Sequence, residues 1–185
     1  MLLLQARSVR LSIFMMLVVA LVPVGADEGQ RASTGLNGGY YLLHHLAKDE
    51  SNVPMLMMVK HAPRDITQFS DDIGKVAKKS LAALDRFQDN DSSLRVDENP
   101  LPAIEQSVRD SIKADKQHQL LFGTSDTEFV RAFLVSQIEA TTYAVHLNKV
   151  MADQETNPAR AKTLRNLSND WGLTRARAYR LLRNY

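Results

Sequence analysis

The sequence predicts an all-α protein, built as an antiparallel four-helix bundle with an extra N-terminal helical segment. Three observations favour this fold class. Apolar residues recur at three- and four-residue steps from about residue 64 onward. No segment shows the strict alternation of apolar and polar residues that is typical of a half-buried strand. Asn-Pro and Ser-x-x-Glu patterns, which are typical of helix N-termini, divide the chain into segments of similar length.

The first 26 residues are predicted to be a secretory signal peptide. Arg7 and Arg10 precede a mostly apolar run over residues 11–22, and small residues occupy positions 24–26. The run is shorter than the roughly 20 apolar residues that a membrane-spanning helix needs. We therefore expect cleavage after Ala26 and a soluble mature chain, without a transmembrane segment, in the periplasm or outside the cell.

The mature chain is predicted to consist of a flexible, glycine-rich leader over residues 27–39 and one helical bundle domain over residues 40–185. The whole chain has 23 Lys and Arg against 21 Asp and Glu. This excess equals the two arginines of the signal peptide, so the mature chain is neutral, which argues against nucleic acid as a partner. The absence of cysteine excludes disulfides, thiolate metal sites and thiol catalysis.

The predicted helices are placed by their apolar stripes and their start signals. Residues 40–60, interrupted by Pro54, are expected to dock on one end or side of the bundle. The four long helices of the bundle are expected over residues 64–88, 99–122, 125–150 and 157–182. Short loops between them reverse the chain direction at each step. Phe133 and Trp171 are assigned to the core, and Gly123 is expected to end the helix over residues 99–122.

Asp115 is an unexpected acidic residue in the predicted helix over residues 99–122. Helical geometry places it in the middle of a predicted core face formed by Ile104, Val108 and Phe122. A buried carboxylate needs a partner. In one interpretation Asp115 forms a structural pair with Tyr143, with the Trp171 indole N–H or with an arginine of the last helix. In the other, Asp115 and His118 are metal ligands.

A second candidate metal site lies between Pro54 and Pro63. Met55, Met58 and His61 follow each other at three-residue steps, after the pair His44-His45. Thioether and imidazole ligands suit copper, especially Cu(I). The alternative is that the methionines fill gaps where a short apolar helix docks on the bundle.

The last helix carries an excess of basic side chains. From residue 157 onward there are seven of them against Asp170 alone: Arg160, Lys162, Arg165, Arg175, Arg177, Arg180 and Arg183. They predict either a patch for an anionic envelope surface or pairing with acidic neighbouring helices and with the helix dipole. Pairing is the favoured interpretation.

The segment FVRAFLVSQIEATTYAVHLNKVMADQETNPARAKTLRNLSNDW, residues 129–171, resembles a ferritin-like four-helix-bundle domain of exported bacterial proteins of unknown function. The resemblance implies a fold and not an activity. Di-iron members of that superfamily carry Glu-x-x-His pairs on two helices. This chain has none, and Asp115-x-x-His118 is the nearest pattern.

The sequence therefore predicts an exported, soluble helical-bundle protein without a recognisable active site. It is expected to act through contacts with an unknown protein, with the cell envelope or with further copies of itself. The alternative is a periplasmic ferritin-like protein that binds copper or iron. No Gly-x-Ser-x-Gly or phosphate-binding loop occurs to support a hydrolase or a nucleotide-dependent enzyme.

Overall fold

The computed structural model describes residues 28–122 and 126–185, and this part of the chain is helical without strands. The helices are α1 (Glu28–Ser51), α2 (Val53–Lys60), α3 (Arg64–Asn90), α4 (Ala103–Phe122), α5 (Asp126–Gln154) and α6 (Pro158–Leu182). No helix among the described residues is long and apolar enough to cross a membrane. The predicted signal peptide lies outside the described residues, as do Gly123 and Ser125.

The direction of α6 relative to α3 and α5 follows from its contacts. Lys79 contacts Asp170 and Asp65 contacts Tyr185, so α3 and α6 are antiparallel. The Ser168 hydroxyl donates to the Val145 carbonyl, and Arg165 donates to the Ala152 carbonyl. Helices α5 and α6 are therefore also antiparallel, which makes α3 and α5 parallel.

Helix α1 occupies the remaining position beside α3 and α5. It contacts α5 through Gly39 near Met151 and through Glu50 near Gln137, so these helices are antiparallel. It contacts α3 through the rings of Tyr40 and Phe87, whose centroids are 6.1 Å apart. The helices α1, α3, α6 and α5 thus follow one another around a shared interior, and each packs on two neighbours.

The core confirms the two large aromatic residues predicted for it. Phe133 and Trp171 are fully buried. The Trp171 indole N–H donates to the Ser80 hydroxyl at 3.2 Å, and that hydroxyl donates to the Val76 carbonyl at 3.0 Å. The indole therefore enters the apolar interior with its one polar atom paired, as a buried tryptophan requires.

The sequence predicts a flexible leader over residues 27–39, but residues 28–39 are helical. Helix α1 begins at Glu28, so it includes residues 28–39. Glycine has low helix propensity, but tertiary packing overrides it here. A Cβ atom at Gly39 would lie 2.9 Å from the Met151 Cγ, so this glycine lets α1 and α5 approach closely.

The roles predicted for the first and third segments are exchanged. Helix α1, expected to dock outside, buries Tyr40 and Leu43 in the core. Helix α4, expected to be one of the four bundle helices, has no buried residue. The apolar spacing of α4 therefore predicts an apolar stripe correctly, but the prediction that this stripe lies in the core is wrong.

The buried face of α5 is partly polar. The apolar residues Tyr143 and Val150 of this helix are exposed. The buried face instead includes Gln137, Thr141 and Asn148 at helical spacing. Because these buried positions are polar, an apolar pattern could not identify them.

Candidate functional site: the outer helix α4 and the polar seam beneath it

Helix α4 lies against the bundle through its charged face. The Lys113 ammonium donates to Asp49 of α1 at 2.6 Å, and the Lys116 ammonium donates to Glu139 of α5 at 2.6 Å. The Arg109 guanidinium lies 5.9 Å from the centre of the Tyr143 ring. Since the lysines reach both α1 and α5, α4 covers the seam between these two helices.

The positions of these contacts define the orientation of α4. Arg109, Lys113, Lys116 and Leu120 recur at steps of four, three and four residues, so they share one helical face. Leu120 at the end of this face packs partly against the apolar core. The contact is otherwise made by exposed ion pairs, which stabilise weakly and are screened by salt.

The opposite face of α4 carries the apolar stripe. Ile104 is 76% exposed and Phe122 is 77% exposed, with Ile112 exposed between them. We define Ile104, Val108, Ile112 and Phe122 as the outer stripe. A helix in a soluble protein normally turns such a stripe toward the core. Here Val108 is half-buried, but Ile104, Ile112 and Phe122 are exposed to solvent, which is typical of an interaction surface.

The environment predicted for Asp115 is therefore wrong. Asp115 is exposed on the outer stripe of α4 and does not enter the core, where the Trp171 N–H is already bonded to Ser80. His118, one turn later, is also exposed, with its ring 5.6 Å from the Phe122 ring. The described residues contain no group of three His, Asp or Glu side chains that could hold a metal ion.

The methionines of α2 divide between the core and the surface. Met57 is buried, whereas Met55 is 58% exposed and Met58 is 77% exposed. His61, just after the helix, is exposed and has the left-handed conformation with φ 48°. Of the three, only Met57 thus serves as a core gap-filler, and the two predicted metal-ligand candidates lie outside.

The seam beneath α4 contains buried polar groups that sequence reasoning missed. Glu50 of α1 and Gln137 of α5 are buried beside each other. Burial is the main cause that raises the pKa of Glu50 to about 7, and the Lys116 charge opposes it. Within the described residues, Glu50 Oε2, Gln137 Oε1, His44 Nδ1 and Asn148 Oδ1 are buried without a hydrogen-bond partner.

A second polar cluster closes the opposite end of the α1–α5 interface. Tyr40 donates to Glu155, whose carboxylate also pairs with the Arg160 Nε at 3.0 Å. Arg160 in turn donates to Asp91 at 2.7 Å. Burial would raise the pKa of Glu155, but the hydrogen bonds from Arg160, Tyr40 and the Asn157 N–H hold it below its usual value.

This cluster fixes the turn between α5 and α6. Glu155 accepts from the Asn157 N–H at 2.8 Å, while the Asn157 side chain caps α6 by accepting from two backbone N–H groups. Hydrogen bonds from Ser93 and Arg160 lower the pKa of Asp91 to about 2. The cluster borders an open cleft of about 560 Å³, but its charged groups bond one another. We interpret it as structural.

Three of the seven basic residues in the α6 region agree with the pairing interpretation. Arg160, Arg165 and Arg177 form ion pairs with Asp91, Asp153 and Asp72. The outer stripe of α4 is one feature of the described residues that core packing does not explain. Comparison with protein-family models, with curated proteins and with solved structures gave no significant match.

Proposed function

We propose that the protein is an exported four-helix-bundle protein that acts through protein contacts made by the outer stripe of α4. The observation that carries this proposal is the inverted orientation of α4, with Lys113 and Lys116 on the bundle and Ile104 and Phe122 in solvent. Exposing large apolar side chains at both ends of a helix is unfavourable in an isolated soluble protein. A partner that covers the stripe removes this cost.

We propose a ferritin-like topology for the bundle formed by α1, α3, α5 and α6. The support is the parallel direction of α3 and α5, since residues 91–125 must then return along the length of the bundle. Ferritin-like bundles have one such crossover. In this chain the crossover contains α4, so the connection itself provides the proposed contact surface.

We propose the ferritin-like topology for this chain but not a di-iron site. The two buried carboxylates of the described interior are Glu50 and Glu155. Glu155 contacts Tyr40, ten residues before Glu50 on α1, so the two acids are about 15 Å apart along the helix axis. They are too far apart to share one metal centre, whose ligands lie within about 2.6 Å of the ion.

We propose that a second copy of this chain packs against the outer stripe. The stripe is self-complementary when two α4 helices pack antiparallel. Ile104 then lies opposite Phe122 of the second copy, and Ser111 lies opposite Asp115 of the second copy. Apolar ends thus meet apolar ends, and the charged centre meets a hydroxyl that can donate to it. A two-fold interface requires this kind of self-complementarity.

The surroundings of the stripe are compatible with close helix packing. The cationic residues Lys113 and Lys116 are held by acids on the bundle, so an approaching helix does not bury an unpaired ammonium. Lys60 of α2 donates to the Leu121 carbonyl at 2.7 Å, which places α2 beside the end of α4. Val59 of α2 is also exposed.

Cross-linking tests the pairing and its direction. The chain lacks cysteine, so Ile104→Cys and Phe122→Cys each introduce a single thiol. With a short bifunctional thiol reagent, we expect cross-linked dimers from a mixture of the two variants and little product from either variant alone. Lys78→Cys on the exposed face of α3 is the matched control and should give none.

The alternative outcomes are distinct. If each variant cross-links to itself and the mixture adds nothing, the helices pack in parallel and the proposed register is wrong. If no combination cross-links and light scattering shows a monomer, a second copy does not occupy the stripe. Capture of the same thiols by a different protein would then identify another occupant and overturn the homodimer.

Export is proposed on the signal-peptide pattern of residues 1–26. N-terminal sequencing of protein recovered outside the cytoplasm should begin at Asp27, because Val24 and Ala26 supply the small residues that signal peptidase recognises. Recovery of a membrane-bound form that begins at Met1 would contradict this part of the proposal.

A further inference from the structure

Helix α2 exposes two thioethers on a firmly held helix. Its inner side is anchored by Met57 in the core and by Pro54, which packs on the α3 backbone. A Cβ atom at Gly74 would lie 2.9 Å from the Pro54 Cγ, so no side chain separates the two helices. The outer side presents Met55 and Met58, which are exposed and do not contribute to the core.

The spacing brings three soft or borderline ligands to one edge of α2. Met55 and Met58 are three residues apart on a helix, which places their Cβ atoms about 5–6 Å apart. His61 follows after another three residues, where the left-handed conformation ends the helix. Lys60, the cation between them, is directed elsewhere, since it bonds the Leu121 carbonyl and lies over the Phe129 ring.

We propose that Met55, Met58 and His61 bind one Cu(I) ion. Thioethers are soft ligands that select Cu(I), and imidazole nitrogen is a common third ligand for copper. Because Met55 and Met58 lie on α2 and His61 directly follows it, the site needs no rearrangement of the bundle. The site is distinct from the outer stripe of α4, and copper binding does not depend on self-association.

The rival explanation is that Met55 and Met58 are simply the α2 part of an apolar contact surface, like Val59. Leucine separates the two explanations, because it has similar volume and hydrophobicity to methionine but no sulfur. The double substitution Met55→Leu and Met58→Leu therefore preserves an apolar contact and removes the two proposed ligands. Met57→Leu and Met151→Leu are matched controls at buried positions.

The experiment is a titration of the whole chain with Cu(I) under ascorbate, in competition with a chromogenic Cu(I) chelator. We expect the parent chain to withhold one more equivalent of copper from the chelator than the double variant does. Both buried-methionine variants should behave as the parent. His61→Asn, which also tolerates the left-handed conformation, should weaken binding without changing the fold.

Equal copper retention by the parent and the double variant would overturn the site. So would a loss of copper in Met57→Leu as large as that in the double variant, since the signal would then follow folding. Circular dichroism and melting temperature of the double variant should match the parent. Its cross-linking through Ile104→Cys and Phe122→Cys should also be unchanged, which separates failure of the copper site from failure of the proposed function.

Discussion

Helices α4 and α6 have the same kinds of residue in opposite orientations. Helix α6 turns Leu164 and Trp171 into the core and pairs Arg177 with Asp72 of α3. Helix α4 places Lys113 and Lys116 on the bundle and exposes Ile104 and Phe122. The comparison shows that apolar periodicity identifies a stripe but does not say whether the same chain covers it.

The largest expected effect compares the buried residues Trp171 and Phe133 with Ile104 of the outer stripe. Trp171→Ala and Phe133→Ala should each lower the free energy of unfolding by roughly 3–5 kcal/mol, as deletion of a buried large side chain does. Ile104→Ala should change the stability of the monomer by less than about 0.5 kcal/mol, as an exposed substitution does. Denaturant unfolding of dilute protein provides both values. A similar loss for Ile104→Ala would mean that α4 packs through its apolar face.

The ion pairs of the two helices should differ almost as clearly. Arg160→Met should cost up to about 3 kcal/mol, because it leaves the buried Glu155 carboxylate with fewer donors. Lys113→Met should cost at most about 1 kcal/mol, since its ion pair with Asp49 is exposed. Equal losses of unfolding free energy for the two variants in urea would contradict this difference between the two ion pairs.

The same pair predicts a pH dependence for the parent. The pKa of Glu155 is held below its usual value, so its ionised form stabilises the fold at neutral pH. This contribution is lost as the pH falls through the folded-state pKa. Arg160→Met should therefore lose less stability on acidification than the parent does.

Glu50, in the seam under α4, should show the opposite sign. Its pKa of about 7 in the folded protein lies above the ordinary value of 4.5, so the protonated carboxyl stabilises the fold below pH 4.5 and this contribution is lost as the pH rises through 7. Glu50→Gln removes the charge and should raise stability at pH 8 by roughly 3 kcal/mol. At pH 4 the two proteins should be similar. A destabilised Glu50→Gln at pH 8 would mean that the ionised carboxylate has a favourable partner.

Salt should distinguish α4 from α6 by local opening. Amide hydrogens of α4 should exchange faster than those of α6, because exposed ion pairs provide much of its attachment. Raising the ionic strength from about 0.1 M to about 1 M shortens the screening length from about 10 Å to 3 Å. Exchange in α4 should then accelerate, while the Trp171 region of α6 should change little. Uniform acceleration along the chain would contradict a weakly held α4.

The smallest expected effect concerns Asp115. The sequence alone predicts that Asp115→Leu destabilises more than Asp115→Asn, because it assigns the carboxylate to the core. Its exposed position instead predicts changes within about 0.5 kcal/mol for both variants. Melting temperatures of the dilute proteins decide between these expectations.

The fold class and the start of α6 could be predicted because local physical chemistry controls them. Asn157-Pro158 signals a helix start, and the Asn157 side chain indeed caps α6. Phe133 and Trp171 are large apolar residues on helices, and both are buried. Such features depend on residues near one another in the sequence.

The misassigned features depend on distant parts of the chain. Gly39 lies in a helix because Met151, over a hundred residues later, packs against it. The seam that contains Glu50 and Gln137 combines polar residues from α1 and α5, and no spacing within either helix announces it. The outward orientation of α4 depends on α1 having taken the interior position. The sequence proposed Met55, Met58 and His61 as candidate ligands, but only the structure shows that both methionines are exposed.

The Tyr40–Glu155 hydrogen bond has a consequence for the order of folding. It joins residues 115 positions apart, whereas α5 and α6 are connected by residues 155–157 alone. Contacts that close long loops have a larger entropic cost and form later than local ones. We therefore expect the α5–α6 hairpin to assemble early and the α1–α5 contact to form late. Ribosomes synthesise α1 first, and it can pack on α3 soon afterwards. Its second face, which carries the Tyr40 hydroxyl, has to wait until residues 126–157 have been made.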